Sequence, residues 1–207
     1  MNKKTVRFVT PILATTLVLA SLGPAVSVYA DETNQNNVES NISNVDVLTD
    51  ADILAAGQYI SFNTDSGQFV IDDSIMSAFS SEKVKLVEEY VNLTNNQINE
   101  SKTDLSVVVS AVDPSGQESR LNSSGLLKSA GVNSITYHWN YARIKIKAGS
   151  LKTALAVGFT IGTVYAPARI IQLACGLAGL STTSIKNGVW FDYNYLTGVL
   201  CGNAGKQ

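Results

Sequence analysis

The sequence predicts an α+β fold, with an N-terminal β-hairpin plus amphipathic helix and a C-terminal β-α-α-β unit with Gly/Ala-rich apolar helices. Three observations predict it. A turn signature at 64–67 separates two short runs of strand-like composition. Apolar residues recur every three or four positions over 84–98, which is the spacing of one helix face. A Gly/Ala-rich apolar stretch over 151–180 lies between two runs rich in aromatic and β-branched residues.

Residues 1–30 are predicted to be an export signal. Basic residues precede an apolar core, and small side chains come before Asp31, so we expect cleavage between Ala30 and Asp31. The apolar core is shorter than the ~20 residues that a membrane-spanning helix needs, which favours removal over retention as an anchor. The pattern therefore predicts a secreted protein.

An acidic region follows the signal. Residues 31–45 contain almost no large apolar side chain, so we expect a disordered linker there. The acidic hairpin–helix region is expected over 46–112, and Asp50 is predicted to cap a short helix near its start. The alternating runs 58–63 and 68–72 are predicted to be the two strands of the hairpin.

A longer amphipathic helix is predicted after Ser81, which can cap its first turn. Its apolar stripe consists of Val84, Val87, Val91, Thr94 and Ile98. β-branched residues over 105–112 predict one more strand. Residues 113–130 are predicted to form a polar linker, in which Arg120 and Lys128 are candidate sites for processing by a protease.

The region 131–207 is basic and apolar. Its first part, 134–147, alternates apolar and polar residues, which predicts a half-buried strand with a bend at Asn140. An aromatic run over 189–196 predicts the last strand of the unit.

Two helices are predicted between these strands. Pro167 divides the apolar stretch into 151–165 and 168–180, because proline lacks an amide donor and clashes with the preceding turn. Gly158 and Gly162 would lie one turn apart on the first helix, so we expect another helix to approach it closely.

Charge is divided between the two regions, although the whole chain has a formal net charge of −2. Residues 31–128 contain five Lys/Arg and sixteen Asp/Glu, whereas residues 131–207 contain seven Lys/Arg and one acidic residue, Asp192. Such asymmetry indicates a membrane or nucleic-acid partner, or one region that masks the other. The apolar stretch in the cationic region favours a lipid surface over nucleic acid.

Basic side chains are attracted to anionic lipid, and aromatic side chains are favoured at the membrane–water interface. We therefore expect the region 131–207 to contact a bacterial membrane or envelope. The expected contact residues are Trp139, Tyr141, Arg143, Lys145, Lys147, Lys152, Arg169 and Trp190. In the alternative interpretation, the apolar helices form an ordinary core against the aromatic strands.

No catalytic residue, cofactor or metal site is predicted, and we expect the protein not to be an enzyme. The chain has one histidine, His138, and no nucleophile elbow, zinc helix motif or Gly-rich phosphate loop. An exported acidic chain without a known nucleic-acid-binding motif does not indicate a nucleic-acid partner. The sequence does not determine an oligomeric state.

Cys175 and Cys201 are the two cysteines. An even number of cysteines in an exported chain predicts a disulfide, which would contribute on the order of 3–4 kcal/mol. The alternative is two free buried thiols, because Cys175 lies in an apolar helical pattern where cysteine packs well.

Three segments have an unusual combination of aromatic, Asn and Gly residues: GQYISFNTDSGQFVID at 57–72, GVNSITYHWNYARIKIKAG at 131–149 and IKNGVWFDYNY at 185–195. They resemble segments of small secreted proteins of Gram-positive bacteria, most of them uncharacterised and some similar to bacteriocin precursors. The resemblance covers about 57–200 and implies secretion together with antimicrobial or envelope interaction. It implies no catalytic residues.

These features together predict a secreted bacteriocin-like precursor. Its acidic region would neutralise the cationic region by long-range attraction until a protease separates the two, and the freed 131–207 would act on membranes. The alternative is a non-catalytic secreted or cell-surface binding protein of unknown ligand.

Overall fold

The computed structural model describes residues 48–122, 131–181 and 185–207, which fold into four α-helices and ten strands. The protein is therefore α+β, as the sequence predicts. The predicted signal, its cleavage between Ala30 and Asp31, the linker 31–45 and the candidate processing site Lys128 lie outside the described residues.

The first helix, α1, spans Asp50–Ala56 and begins with a capping box. The cap is Thr49 and not the predicted Asp50: the Thr49 hydroxyl accepts from the amide of Asp52, and the Asp52 carboxylate accepts from the amide of Thr49. The ammonium of Lys83 lies 2.8 Å from that carboxylate and is the main cause that lowers the pKa of Asp52 to about 2. This ion pair ties α1 to the following long helix.

The predicted hairpin is confirmed. Strand β1, Ile60–Asn63, pairs antiparallel with β2, Gln68–Ile71, across the turn at 64–67. The long helix α2 spans Ser81–Ser101, and its cap is Ser80, one residue before the predicted one. All five residues of the predicted apolar stripe are buried, since α2 packs on strand β2 of the hairpin and its apolar side chains belong to the hydrophobic core.

The remaining strands are β3 Val108–Val112, β4 Glu118–Arg120, β5 Ser134–Tyr137, β6 Ala142–Ile146, β7 Phe159–Ile161, β8 Val164–Ala166, β9 Val189–Asn194 and β10 Val199–Lys206. Six of them form one sheet in the order β10-β9-β6-β5-β3-β4. All its neighbouring pairs are antiparallel except β3 and β5, which are parallel. The sheet therefore combines strands from the acidic and the basic region.

Two strand predictions differ from the structure. The run 134–147 is not one bent strand, because the chain reverses direction over 138–141 and β5 pairs antiparallel with β6. The predicted polar linker contains β4, whose Arg120 lies opposite Ser110 of β3 in the sheet. Arg120 is thus part of a paired strand and not of an open protease-accessible loop.

The apolar stretch forms shorter helices than predicted. Helix α3 spans Ala148–Val157 and α4 spans Ala168–Leu177, with Pro167 at the start of α4 as expected. The hairpin of β7 and β8 lies between them, so Gly158 and Gly162 do not form a helix-packing motif. Both glycines have positive φ, at 87° and 56°, and the β-branched residues around them favour strands.

The turn glycine Gly162 offers a direct test of this hairpin. A Cβ at Gly162 would meet the hydroxyl and Cβ of Ser101 on α2, whereas a Cβ at Gly67, with a similar φ of 66°, would meet open space. We expect Gly162→Ala to lower the free energy of unfolding by about 2 kcal/mol or more, and Gly67→Ala by about 1 kcal/mol. Urea denaturation measures both. Equal losses of unfolding free energy in the two variants would show that the β7–β8 hairpin does not lie close to α2.

The inner face of the six-stranded sheet is the centre of the core. One inner row runs through Val109, Ile135, Ile144 and Phe191, and all four side chains are fully buried. Helix α4 packs against β9 and β10, and α3 packs against α4. The apolar faces of both predicted helices are thus largely hidden, which favours the interpretation of an ordinary core.

Buried hydroxyl groups join α2 to strands of the basic region. The Thr94 hydroxyl donates to the carbonyl of Trp139 at 2.9 Å and shares a hydrogen bond of 2.7 Å with the hydroxyl of Tyr195. The hydroxyls of Ser101 and Tyr137 are 2.6 Å apart, and burial raises the pKa of Tyr137 to about 12. The acidic and basic regions therefore share one core with paired polar groups.

Candidate functional site

The outer face of the six-stranded sheet presents polar side chains in two cross-strand rows. Register places Ser110, Thr136, Arg143 and Asp192 in the first row. The second row contains Val108, Ser134, Lys145, Trp190 and Gly205. The predicted alternation of 141–147 is confirmed here, since Ala142, Ile144 and Ile146 are buried on the inner face. Five strands thus contribute to one continuous surface.

An ion pair lies at the centre of the first row. Arg143 donates from Nε to Asp192 Oδ1 at 2.7 Å and from Nη2 to Oδ2 at 2.9 Å, and the Asn203 amide donates to the same Oδ2 at 3.2 Å. Asp192 is 1% exposed, so this two-point contact compensates a buried carboxylate. The hydrogen bonds that Arg143 donates to the Asp192 carboxylate raise the pKa of Arg143.

The indole of Trp190 is held between neighbours on two strands. The Arg143 Cζ lies 4.5 Å from the centre of the Trp190 ring, within the range of a cation–π contact. On β10, a Cβ added at Gly205 would lie 2.5 Å from the indole Nε1, so the ring occupies the space above that glycine. The orientation of the indole is therefore fixed by the surrounding residues.

A cavity of about 350 Å³ opens beside Trp190. Its walls come from strands and loops: Val108, Ser110, Glu118, Val132, Ser134, Thr136, Lys145, Trp190, Lys206 and Gln207. The Ser110 and Thr136 hydroxyls are 2.9 Å apart, and Gln207 donates from Nε2 to the carbonyl of Val132 at 2.7 Å. We call this cavity the sheet pocket. It has the dimensions of a small-molecule site and a mixed polar and apolar lining.

His138 and Tyr141 lie at the turn between β5 and β6. Their rings stack with centres 4.2 Å apart and planes 9° apart. Burial lowers the pKa of His138 from its ordinary 6.5 to about 4, although the carboxylate of Asp192 opposes the shift. The imidazole is therefore neutral at pH 7 in the folded protein and has a structural role in this arrangement.

This His138 pKa predicts a pH dependence of stability. Between pH 6.5 and about 4 the unfolded chain binds a proton at His138 that the folded chain does not bind. The free energy of unfolding should therefore fall on acidification across that window, by on the order of 2 kcal/mol from this group. We expect His138→Phe, which keeps a ring against Tyr141, to flatten the profile there. An unchanged slope in urea titrations at pH 4, 5 and 6.5 would contradict the assignment.

A second surface lies on the opposite side of the sheet, on α4. Leu173 and Leu177, one turn apart, are 59% and 60% exposed. They line an apolar cavity of about 620 Å³ with Arg169, Gln172, Gly176 and Leu200 of β10. We call these six residues the α4 patch. Throughout the described ranges, no helix combines the length and apolarity needed to cross a bilayer.

The predicted membrane-contacting residues do not form one surface. Tyr141, Arg143, Lys145 and Trp190 belong to the outer face and its rim, whereas Lys152 and Arg169 are exposed on α3 and α4. Lys147 is exposed directly after β6.

Trp139 differs from the expectation of an exposed contact residue. Its side chain is 5% exposed and packs against Tyr90 of α2, with ring centres 6.4 Å apart. Its position in the reversal between β5 and β6 turns it into the core and away from solvent.

The structure differs from the predicted disulfide, because both cysteines are free. Cys175 is buried on the face of α4 that packs on the sheet. Cys201 is exposed on β10 as a residue, but its thiol is partly desolvated by neighbouring atoms, and this desolvation together with the carboxylate of Asp192, a residue of the outer face, raises its pKa. One thiol is thus in the core and the other belongs to an exposed residue of β10, which does not suit the short Cβ–Cβ separation of a disulfide.

No known protein family, curated protein or solved structure matches this chain. Its function must therefore be argued from the chemistry of the two surfaces. Within residues 48–122, 131–181 and 185–207, no group of three or more His, Cys, Asp or Glu side chains is placed to hold a metal ion. Sequence reasoning identified Arg143, Lys145 and Trp190 but missed Ser110, Thr136 and Asp192, whose relation to them depends on strand register.

Proposed function

We propose that the protein is a secreted, non-catalytic binding protein that acts as an intact chain on the Gram-positive bacterial envelope. Its contact surface is the outer face of the six-stranded sheet. The observation behind this proposal is the sheet pocket, where Lys145 and Lys206 stand beside Trp190 and a row of hydroxyl groups. Basic and aromatic side chains on a rigid sheet suit recognition of an envelope component.

The intact chain is a better candidate than a released C-terminal region. Helix α2 and strand β3 supply part of the core that the basic region needs, including the contacts of Thr94 and Ser101. A cut at Arg120 or Lys128 would break the covalent connection between β3 and β5. The two strands would still be hydrogen-bonded to each other as parallel neighbours in the sheet. Release of 131–207 would require that sheet to come apart.

A second candidate function is contact with a lipid surface through the α4 patch. The exposed Leu173 and Leu177 beside the cation of Arg169 support it, because apolar and basic side chains together favour anionic membranes. This function also uses the intact chain. It differs from the first in the surface that the membrane or envelope component would touch.

Binding of the intact secreted chain to Gram-positive cells and to their purified cell walls separates the two candidates. We expect the double variant Lys145→Gln/Lys206→Gln to reduce binding about tenfold, since each lost charge contact costs up to about 1 kcal/mol. Lys85→Gln, at an exposed site on α2, is the control for the loss of one lysine charge away from the pocket and should bind normally. Leu173→Ser/Leu177→Ser should also bind normally.

The reverse pattern would favour the lipid surface. In that case the leucine variants lose binding and the lysine variants keep it, and the wild-type chain releases dye from anionic vesicles. Failure of the wild-type chain to bind cells, walls or vesicles would refute both candidates.

A further inference from the structure

We propose that the sheet pocket binds an acidic saccharide unit, a sugar residue with one carboxylate. This inference deepens the proposed function and rests on it, because it names the ligand class for the same face of the sheet. It combines the unpaired charge of the pocket, its hydroxyl row and its aromatic wall in one recognition site.

The charged side chains of the pocket favour a ligand with one negative group. Lys145 and Lys206 both line it, and among the residues that the structure describes neither ammonium forms an ion pair. Among the lining side chains, two are cationic and one, Glu118, is a carboxylate that has an interaction partner of its own, so the lining has an excess of positive charge. Arg143 adds none, because its guanidinium is already neutralised by Asp192. A ligand with a single carboxylate balances this excess.

The hydroxyl groups of the pocket suit a polyhydroxylated ligand. Thr136 and Ser134 are partly exposed in neighbouring rows of the lining, and Thr136 shares a hydrogen bond of 2.9 Å with the buried Ser110 in which either hydroxyl can donate. Hydroxyl groups both donate and accept, as sugar hydroxyls do, so the two sets are complementary.

The aromatic wall suits the C–H face of a sugar ring. Trp190 is half-buried and lines the pocket, so part of its indole surface is available to a ligand. Its ring is already fixed by Arg143 and Gly205, which lowers the ordering cost of binding. An acyl chain is better matched by the α4 patch, whose lining is far more apolar than the mixed lining of the sheet pocket.

Titration of the intact chain with three probes tests the inference. The probes are a disaccharide with one uronic acid residue, the matched neutral disaccharide with CH₂OH in place of the carboxylate, and inorganic phosphate. Calorimetry gives the affinity, and indole fluorescence reports the site because Trp139 is buried and Trp190 lines the pocket. We expect the acidic disaccharide to bind at least tenfold more tightly than either of the other probes.

Variants locate the binding. Lys145→Gln should weaken the acidic disaccharide about fivefold and leave the neutral one unchanged, while Lys85→Gln changes neither. Trp190→Phe should weaken the binding of both disaccharides and remove the fluorescence response. Calorimetry measures the affinity of this variant even if the change in indole fluorescence is small. Thermal unfolding of each variant shows that the fold is intact.

Several outcomes would overturn the inference. Equal affinity for both disaccharides would show that the lysines do not recognise the carboxylate. Equal affinity for the acidic disaccharide and phosphate would show a general anion site. In a third outcome, the chain fails to bind the saccharides and still binds cell walls through Lys145 and Lys206. That result refutes the saccharide as the ligand class and leaves the proposed function standing. Loss of wall binding as well refutes both.

Discussion

The fragment 131–207 is expected not to fold on its own. It lacks α2, whose Val84, Val87, Val91 and Ile98 are buried in the core, and it lacks β3 next to β5. Burial of one such side chain contributes roughly 1.5–3 kcal/mol, so the lost contacts amount to most of the roughly 5–15 kcal/mol that stabilises a domain. Removal of β3 also leaves an edge of β5 with unpaired backbone groups.

Circular dichroism and thermal unfolding measure this result. The fragment should show no cooperative transition and no near-ultraviolet signal, whereas the chain from residue 44 onwards should show both. The same two samples can be added to anionic vesicles loaded with dye. A fragment that folds cooperatively, or that releases dye while the longer chain does not, would revive the precursor with a released cationic region.

Replacement of Arg143 by Met is expected to give the largest loss of stability for a single residue on the outer face. The change leaves the Asp192 carboxylate, which is 1% exposed, without its cation and with Asn203 as its remaining side-chain donor. Breaking a buried pair in this way costs roughly 3–5 kcal/mol, and the partial exposure of Arg143 reduces the expected loss to about 2–4 kcal/mol.

Two variants make this measurement specific. Arg143→Met/Asp192→Leu removes both charges and should recover most of the lost stability, because the cost arises from the uncompensated carboxylate. Lys145→Met, two residues along the same strand and on the same face, should change the free energy of unfolding by less than about 0.5 kcal/mol. If the double variant is as unstable as the single one in urea, the loss comes from packing against Trp190 and not from charge.

The sequence alone was sufficient where a local pattern decides the structure. The hairpin of β1 and β2 follows from the turn at 64–67, and the buried stripe of α2 follows from its spacing. Pro167 marks the start of α4 because a proline cannot continue the preceding element. The face shared by Arg143 and Lys145 follows from the two-residue period of a strand.

Other elements depended on partners that are distant in sequence. Strand β10 has three glycine or alanine residues and a register shift between Leu200 and Ala204, so its composition does not indicate a strand, but β9 supplies its hydrogen bonds. The chain reversal at 138–141 lacks the usual turn residues apart from Asn140, and it is the antiparallel pairing of β5 with β6 that defines it. The hairpin of β7 and β8 was likewise not predicted, because the Gly/Ala-rich apolar composition of the segment is typical of a helix.

Composition and local spacing by themselves determined the fold class, the hairpin, the long amphipathic helix and the division of charge along this chain. Only the tertiary structure decided that the oppositely charged regions share one sheet, and that Ser110, Thr136, Arg143 and Asp192 form a row across it. The physical reason is that periodicity shows which residues share a face of one strand. Strand order and register, which bring those faces together, depend on contacts between segments far apart in the chain.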